Sequence, residues 1–198
     1  CRAFEISTGQ FKVFNNQDCG FNYRDSIFKS SAKGLFIITE VSFKLSVIFK
    51  PHVSYGAITD ELSKRGIDQP NIKDLSQVIS HIRVSKLPDP STIGNAGSFF
   101  KNPVIPVSKF IQLQSHFSDI VHFPAGEGFV KISAGWLIEY CGYKGKVVGN
   151  TGTWKNQALV LVNHGNASGD EILSFSSIII DSVSSVFGIQ LEREVNII

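Results

Sequence analysis

Apolar and polar positions alternate along the first fourteen residues, which is the period of a half-buried strand. Phe4 and Ile6, then Phe11 and Val13, supply the apolar positions of two runs, 2–7 and 10–14, separated by Thr8-Gly9, so a hairpin is expected there. Residues 35–45 alternate in the same way, with Phe36, Ile38, Phe43 and Leu45 interleaved with polar or smaller residues. The period then changes. Ile72, Leu75, Val78, Ile79 and Ile82 recur at helical spacing. Asn71 is a good N-cap for that helix, Asp74 places charge in its first turn, and Pro88 forces a stop.

Beyond Pro90 the texture shifts to short helices and strands. One helix is expected over 108–117, and another is capped by Ser133, runs to Cys141 and ends at Gly142. The unbroken apolar run 158–162 reads as a buried strand. Ser168-Gly169-Asp170-Glu171 has the pattern of a capping box. It opens a long helix with Ile172, Phe175, Ile179, Val183 and Val186 on one side, ended by Gly188. Residues 189–198 alternate once more as a strand, with Arg193 breaking the apolar face and placing the strand near an edge or end. Trp136, beside Leu137 and Ile138, reads as core. Together these elements make an α+β chain with a junction near 87–93, where Pro, Asp and Ser cluster.

Composition changes the picture little. At 198 residues the chain can bury a sizeable core, and 42% hydrophobic with 18% charged residues is ordinary for a globular protein. A net charge of +2 gives no argument for nucleic acid or a membrane surface, though a local cation cluster could still take an anionic nucleotide. No apolar run approaches the roughly 20 residues that span a bilayer. Three cysteines, Cys1, Cys19 and Cys141, have no metal-like spacing and suit free thiols in a reducing cytosol. With no methionine and Cys1 inside a strand pattern, a fragment lacking its natural N-terminus is expected.

The chemistry concentrates in Gly94-Asn95-Ala96-Gly97-Ser98-Phe99-Phe100-Lys101-Asn102-Pro103. Glycines there can take positive φ and approach a ligand closely, the two phenylalanines pin the loop, and a hydroxyl on a pinned, open turn can be aimed. Six further blocks accompany it: 21–29 (FNYRDSIFK), 54–56 (SYG), 82–90 (IRVSKLPDP), 134–139 (AGWLIE), 156–163 (NQALVLVN) and 191–195 (LEREV). Arg83 and Lys86 share one face at a helix C-terminus. They serve either to complement the dipole or to hold a phosphate or a reduced flavin.

In this order and spacing the blocks resemble the UDP-N-acetylenolpyruvoylglucosamine reductases, in their longer, type I branch by Tyr55. The resemblance implies the C-terminal part of an FAD-binding (VAO/PCMH-like) domain over 1–87, a small α+β substrate-binding domain over 88–188, and a strand over 189–198 returning to the flavin region. It implies an NADPH-dependent flavoenzyme that reduces UDP-N-acetyl-3-O-(1-carboxyvinyl)-glucosamine to UDP-N-acetylmuramate for peptidoglycan. The enzyme would be cytoplasmic and monomeric, with a UDP-sugar as its partner and neither nucleic acid, membrane nor metal. Ser98 matches the family's proton donor, Arg24 the arginine on the substrate carboxylate, and Glu194 the glutamate completing that site. Read on their residues alone, Arg24 could be a surface ion pair and Glu194 a solvated strand face.

Tyr55, Lys86, Asn102 and Gln157 match UDP-sugar contacts: a ring and hydroxyl, a point charge for diphosphate, and two amides for uracil or sugar. Tyr23 and Arg83 would border substrate or flavin. The family's glycine-rich flavin loops find no replacement here, neither a dinucleotide G-x-G-x-x-G nor a Walker loop. The alternative to a reductase is therefore a catalytically silent UDP-sugar-binding fragment lacking the flavin site.

Overall fold

The structure is a computed structural model describing residues 1–54 and 57–197. The chain divides into two compact units, residues 1–50 and 51–198.

In the first unit, β1 (Arg2–Glu5) and β2 (Gln10–Val13) form the expected hairpin, with Phe4 opposite Phe11 and their rings 5.5 Å apart edge to face. β3 (Phe36–Glu40) pairs antiparallel with the other side of β1, giving the order β2-β1-β3. The alternating pattern continues to residue 45 but the strand stops at Glu40, because the register sets Glu40 opposite Arg2, where β1 runs out. A one-turn helix, α1 (Asn16–Cys19), has a full capping box between Asn15 and Asp18. Phe14, Phe28 and Phe36 meet edge to face at 5.1–6.2 Å and make the small aromatic heart of this unit.

The second unit opens with α2 (Ile58–Lys64) and α3 (Ile72–Lys86), which share a small core of Ile58, Leu62, Leu75 and Val78. The Asn71 side chain accepts hydrogen bonds from the Lys73 and Asp74 amides at 2.8 and 3.1 Å, the N-cap expected there, and Asp74 also accepts one from the Asn71 amide, closing a capping box. Leu87 turns extended ahead of Pro88 and ends the helix.

A second, larger core lies between antiparallel sheets and three helices. The four-stranded sheet has the order β4 (Gly94–Ser98), β10 (Gln157–Asn163), β9 (Thr151–Trp154), β8 (Val147–Val148). The three-stranded sheet runs β5 (Val104–Pro106), β7 (Phe129–Ile132), β6 (His122–Pro124). Over them pack α4 (Val107–His116), α5 (Ala134–Tyr140) and α6 (Gly169–Phe187). Leu137 and Ile138 of α5 and Ile179 and Val183 of α6 are buried in one cluster with Phe100 and Leu161. The Ser168–Glu171 capping box and the left-handed Gly188, φ +62°, bound α6 as expected. Along its predicted face Val186 turns outward and Phe187 takes its place in the core. Trp136 is half-buried in an aromatic group with Phe117, Tyr140 and Phe187 rather than enclosed.

The strand expected over 189–198 is reduced to a single antiparallel bridge, Arg193 to Phe100, flanked by two main-chain hydrogen bonds. Ile189 and Leu191 keep their apolar face buried. Arg193 leaves the ladder's pattern because its guanidinium donates to the Ser176 and Ser177 hydroxyls of α6, each at 2.7 Å. The whole is α+β, and no helix among the described residues is long and apolar enough to cross a membrane.

Candidate active site

Ser98 ends β4 immediately after a bulge. Val160 faces Ser98 and Val162 faces Asn95, so between these pairs two residues of β4, Ala96 and Gly97, stand against one of β10, Leu161. Gly97 absorbs the extra residue with φ +70° and nothing within 4 Å of where a Cβ would lie. The Asn95 side chain braces the bulge, accepting from the Gly97 amide at 3.1 Å and donating to the Ile93 carbonyl at 3.0 Å. Bulges re-aim the side chains that follow them. The residue so aimed is half-buried, and its hydroxyl has no hydrogen-bond partner among the described residues.

The next residues tie this strand to the C-terminal segment. The Phe99 amide donates to Leu159 at 2.8 Å, the Glu194 amide to Phe99 at 2.8 Å and the Lys101 amide to Glu192 at 2.9 Å. Glu194 is thereby brought, main chain to main chain, beside the residue that follows Ser98. Phe99 and Phe100, both buried, lock the segment into the core, so the serine and the glutamate stand on one fixed frame.

Gln157 and Asn102 converge on the start of α5. Asn102 Oδ1 accepts from the Ala134 amide at 2.9 Å. A Cβ on Gly135 would lie 3.1 Å from Gln157 Oε1, close enough that the amide would have to shift. Both side chains remain partly exposed. Asn156 reaches the other way and donates to the Ser85 carbonyl at 2.8 Å, joining the β9–β10 turn to the end of α3, next to Lys86. The side chains of Lys86 and Arg83 have no hydrogen bond or ion pair with the described residues. Arg83 borders a hollow of about 320 Å³ with Val84, Leu87, Pro88, Asp89 and Pro90. The Asp89 carboxyl titrates below the usual carboxylate range because the Ser91 hydroxyl and amide both donate to it.

Arg24 and Tyr23 belong to the 1–50 unit. They occupy the tip of a tight turn whose flanks, Asn22 and Asp25, exchange both main-chain hydrogen bonds. Arg24 has φ +54° and is the non-glycine residue with positive φ among those described, a conformation that costs about 1–2 kcal/mol and concentrates at functional sites. Tyr55 lies outside the described residues. Sequence reasoning missed Asn156 and Gly135 as supports, although both stand inside the quoted blocks. It also left open how Arg193 is satisfied. The sole available signals were an asparagine in a two-residue hairpin tip and a glycine within a helix.

The family model for the C-terminal domain of UDP-N-acetylenolpyruvoylglucosamine reductase matches residues 89–198. The reductase of that name from Flavobacterium johnsoniae is 49% identical over 199 residues, covering all of this chain and 59% of its own length. That from Pseudomonas syringae pv. syringae is 44% identical over 195 residues, covering 98% of this chain and 57% of its own. The chain thus spans well under two thirds of these relatives. The crystal structure of UDP-N-acetylenolpyruvylglucosamine reductase (MurB) from Thermus caldophilus shares the fold, with a TM-score of 0.54 at 23% identity, over 98% of this chain and 50% of that one. On the match across 89–198 and the α+β fold that carries it, the chain belongs to the UDP-N-acetylenolpyruvoylglucosamine reductase family.

Proposed function

We propose that this chain carries the protonating and substrate-holding residues of an NADPH- and FAD-dependent reductase. It would act on the enolpyruvyl ether of UDP-N-acetylglucosamine and yield UDP-N-acetylmuramate for peptidoglycan. What supports the reading most is the Ser98 hydroxyl, without a partner among the described residues, on its bulged strand with the Glu194 segment paired beside it.

When bound, reduced FAD would supply the hydride, to the terminal methylene carbon of the enolpyruvyl group. Of the described residues, Arg83 has the chemistry to meet that cofactor: a guanidinium with no partner among them, bordering a hollow lined by Val84, Leu87, Pro88, Asp89 and Pro90. The carbon next to the substrate carboxylate then gains carbanion character, and Ser98 Oγ gives it a proton. A hydroxyl is a weak acid, but such a carbon is a strong enough base to take its proton, and fixed positioning supplies the rest. Charge spreading onto the carboxylate needs a preorganised partner. The planar fork of Arg24 suits bidentate binding of a carboxylate, and the Glu194 carboxyl completes that group's surroundings. Lys86 is the point charge for diphosphate. Asn102, Gln157, Tyr23 and Tyr55 make up the sugar and uracil contacts. The protein acts as a cytoplasmic monomer.

The test is spectroscopic. The intact protein, purified, carries a flavin absorbance spectrum and turns over NADPH beyond one equivalent of flavin only when the enolpyruvyl UDP-sugar is added. A colourless protein that binds the UDP-sugar without turnover after reconstitution with FAD overturns the reductase reading in favour of a binding module.

A further inference from the structure

The β9–β10 turn is a two-residue hairpin loop, Lys155-Asn156, closed by the pair Trp154–Gln157. Such loops favour left-handed backbone at one or both positions, because that twist matches the flanking strands. Here neither residue has positive φ. The turn therefore needs outside support, and it has it on two sides. Gly145, at φ +68°, lets its own backbone approach so closely that a Cβ there would lie 3.3 Å from the Lys155 Cα. On the other side Asn156 donates to the Ser85 carbonyl, across 71 positions of sequence, at 2.8 Å.

An asparagine in a turn usually bonds its own backbone two residues on. This one instead satisfies one of the last four carbonyls of α3, which have no partner within the helix. The helix it holds belongs to a hydrophobic cluster separate from the main core, so a polar link between the two has mechanical weight. One residue past Ser85 stands Lys86, with no described partner, and one residue past Asn156 stands Gln157.

We propose that Asn156 is a positioning residue: its carboxamide clasps the last turn of α3 to the β9–β10 turn and thereby sets where Lys86 meets the diphosphate of the nucleotide sugar. The inference rests on the substrate reading of Lys86 given above. Asn156 does not touch the ligand. It fixes the distance between the cation on α3 and the amide on β10, so that both engage one nucleotide without reordering the helix.

The test uses Asn156→Asp in the intact protein, an isosteric change that replaces the donor with an oxygen facing an oxygen. KM for the UDP-sugar is expected to rise about three- to tenfold, the scale of one net hydrogen bond, with kcat and KM for NADPH unchanged. The affinity for UDP alone, read by calorimetry, falls by the same factor. Lys86→Ala raises KM as well, and the double variant is no worse than Lys86→Ala, because the two act on one contact. Asn156→Ala carries the same comparison should the aspartate fold poorly. An unaltered KM in both Asn156 variants, beside a raised KM in Lys86→Ala, overturns the positioning role alone. An unaltered KM in Lys86→Ala overturns the underlying reading and this inference with it.

Discussion

The two units treat their apolar residues in opposite ways. In 51–198 the positions that recur along α5 and α6 are almost all enclosed: Leu137, Ile138, Ile179 and Val183 have essentially no exposure. In 1–50 the alternation along 2–14 and 35–45 is just as plain, yet apart from the half-buried Phe4 and Phe36 the side chains it marks stay in solvent. Val13 is 79% exposed and Leu45 81%, with Phe11, Ile38 and Phe43 also open, while only Ala3, Cys19 and Ala32 are buried. Periodicity says which residues share a face. It does not say whether anything covers that face. A three-stranded sheet holds itself together only when a hydrophobic face is packed, so the larger unit is the one that can stand alone.

Separating the units is the harshest way to break this comparison. Residues 51–198 expressed alone are expected to unfold cooperatively in urea, whereas 1–50 alone shows no folding transition by circular dichroism. Two independent transitions, one from each piece, would erase the distinction. Point changes sharpen it on a smaller scale. Leu137→Ala leaves a cavity and is expected to destabilise by about 2–5 kcal/mol, against about 0.5 kcal/mol or less for Val13→Ser, both from urea midpoints of the whole chain.

Much of the larger unit was legible because helix ends announce themselves locally. Asn71 with Asp74, Ser168 with Glu171, Ser133 before Ala134 and Gly188 after α6 each act within four residues, and the structure shows every one as a cap. The sheet β5-β7-β6 was not legible. Its strands are three or four residues long, and Pro106 and Pro124 sit in its two outer strands, the positions in a sheet that tolerate a missing donor. Within the candidate site, Ser98 was legible from its glycine-flanked turn, but the bulge that aims it depends on β10, some sixty residues away in sequence. The approach of Glu194 to Phe99 rests on one bridge and two hydrogen bonds, too little to leave a periodic trace. The Asn156–Ser85 clasp is a single side-chain bond, which no pattern of hydropathy encodes. Arg24 gave no warning of its left-handed backbone, since arginine rarely takes it and nothing local calls for it.

Ser98→Ala in the intact protein, followed through its two half-reactions by stopped-flow flavin absorbance, probes the central claim most directly. Reduction of the flavin by NADPH is expected at the unchanged rate, because no proton from Ser98 enters it. Reoxidation by the enolpyruvyl UDP-sugar is expected to slow by roughly 10²–10⁴-fold, the range lost with a positioned general acid. Equal rates in variant and parent for the second half-reaction, or equal slowing of both, would contradict the assignment of the proton to this hydroxyl.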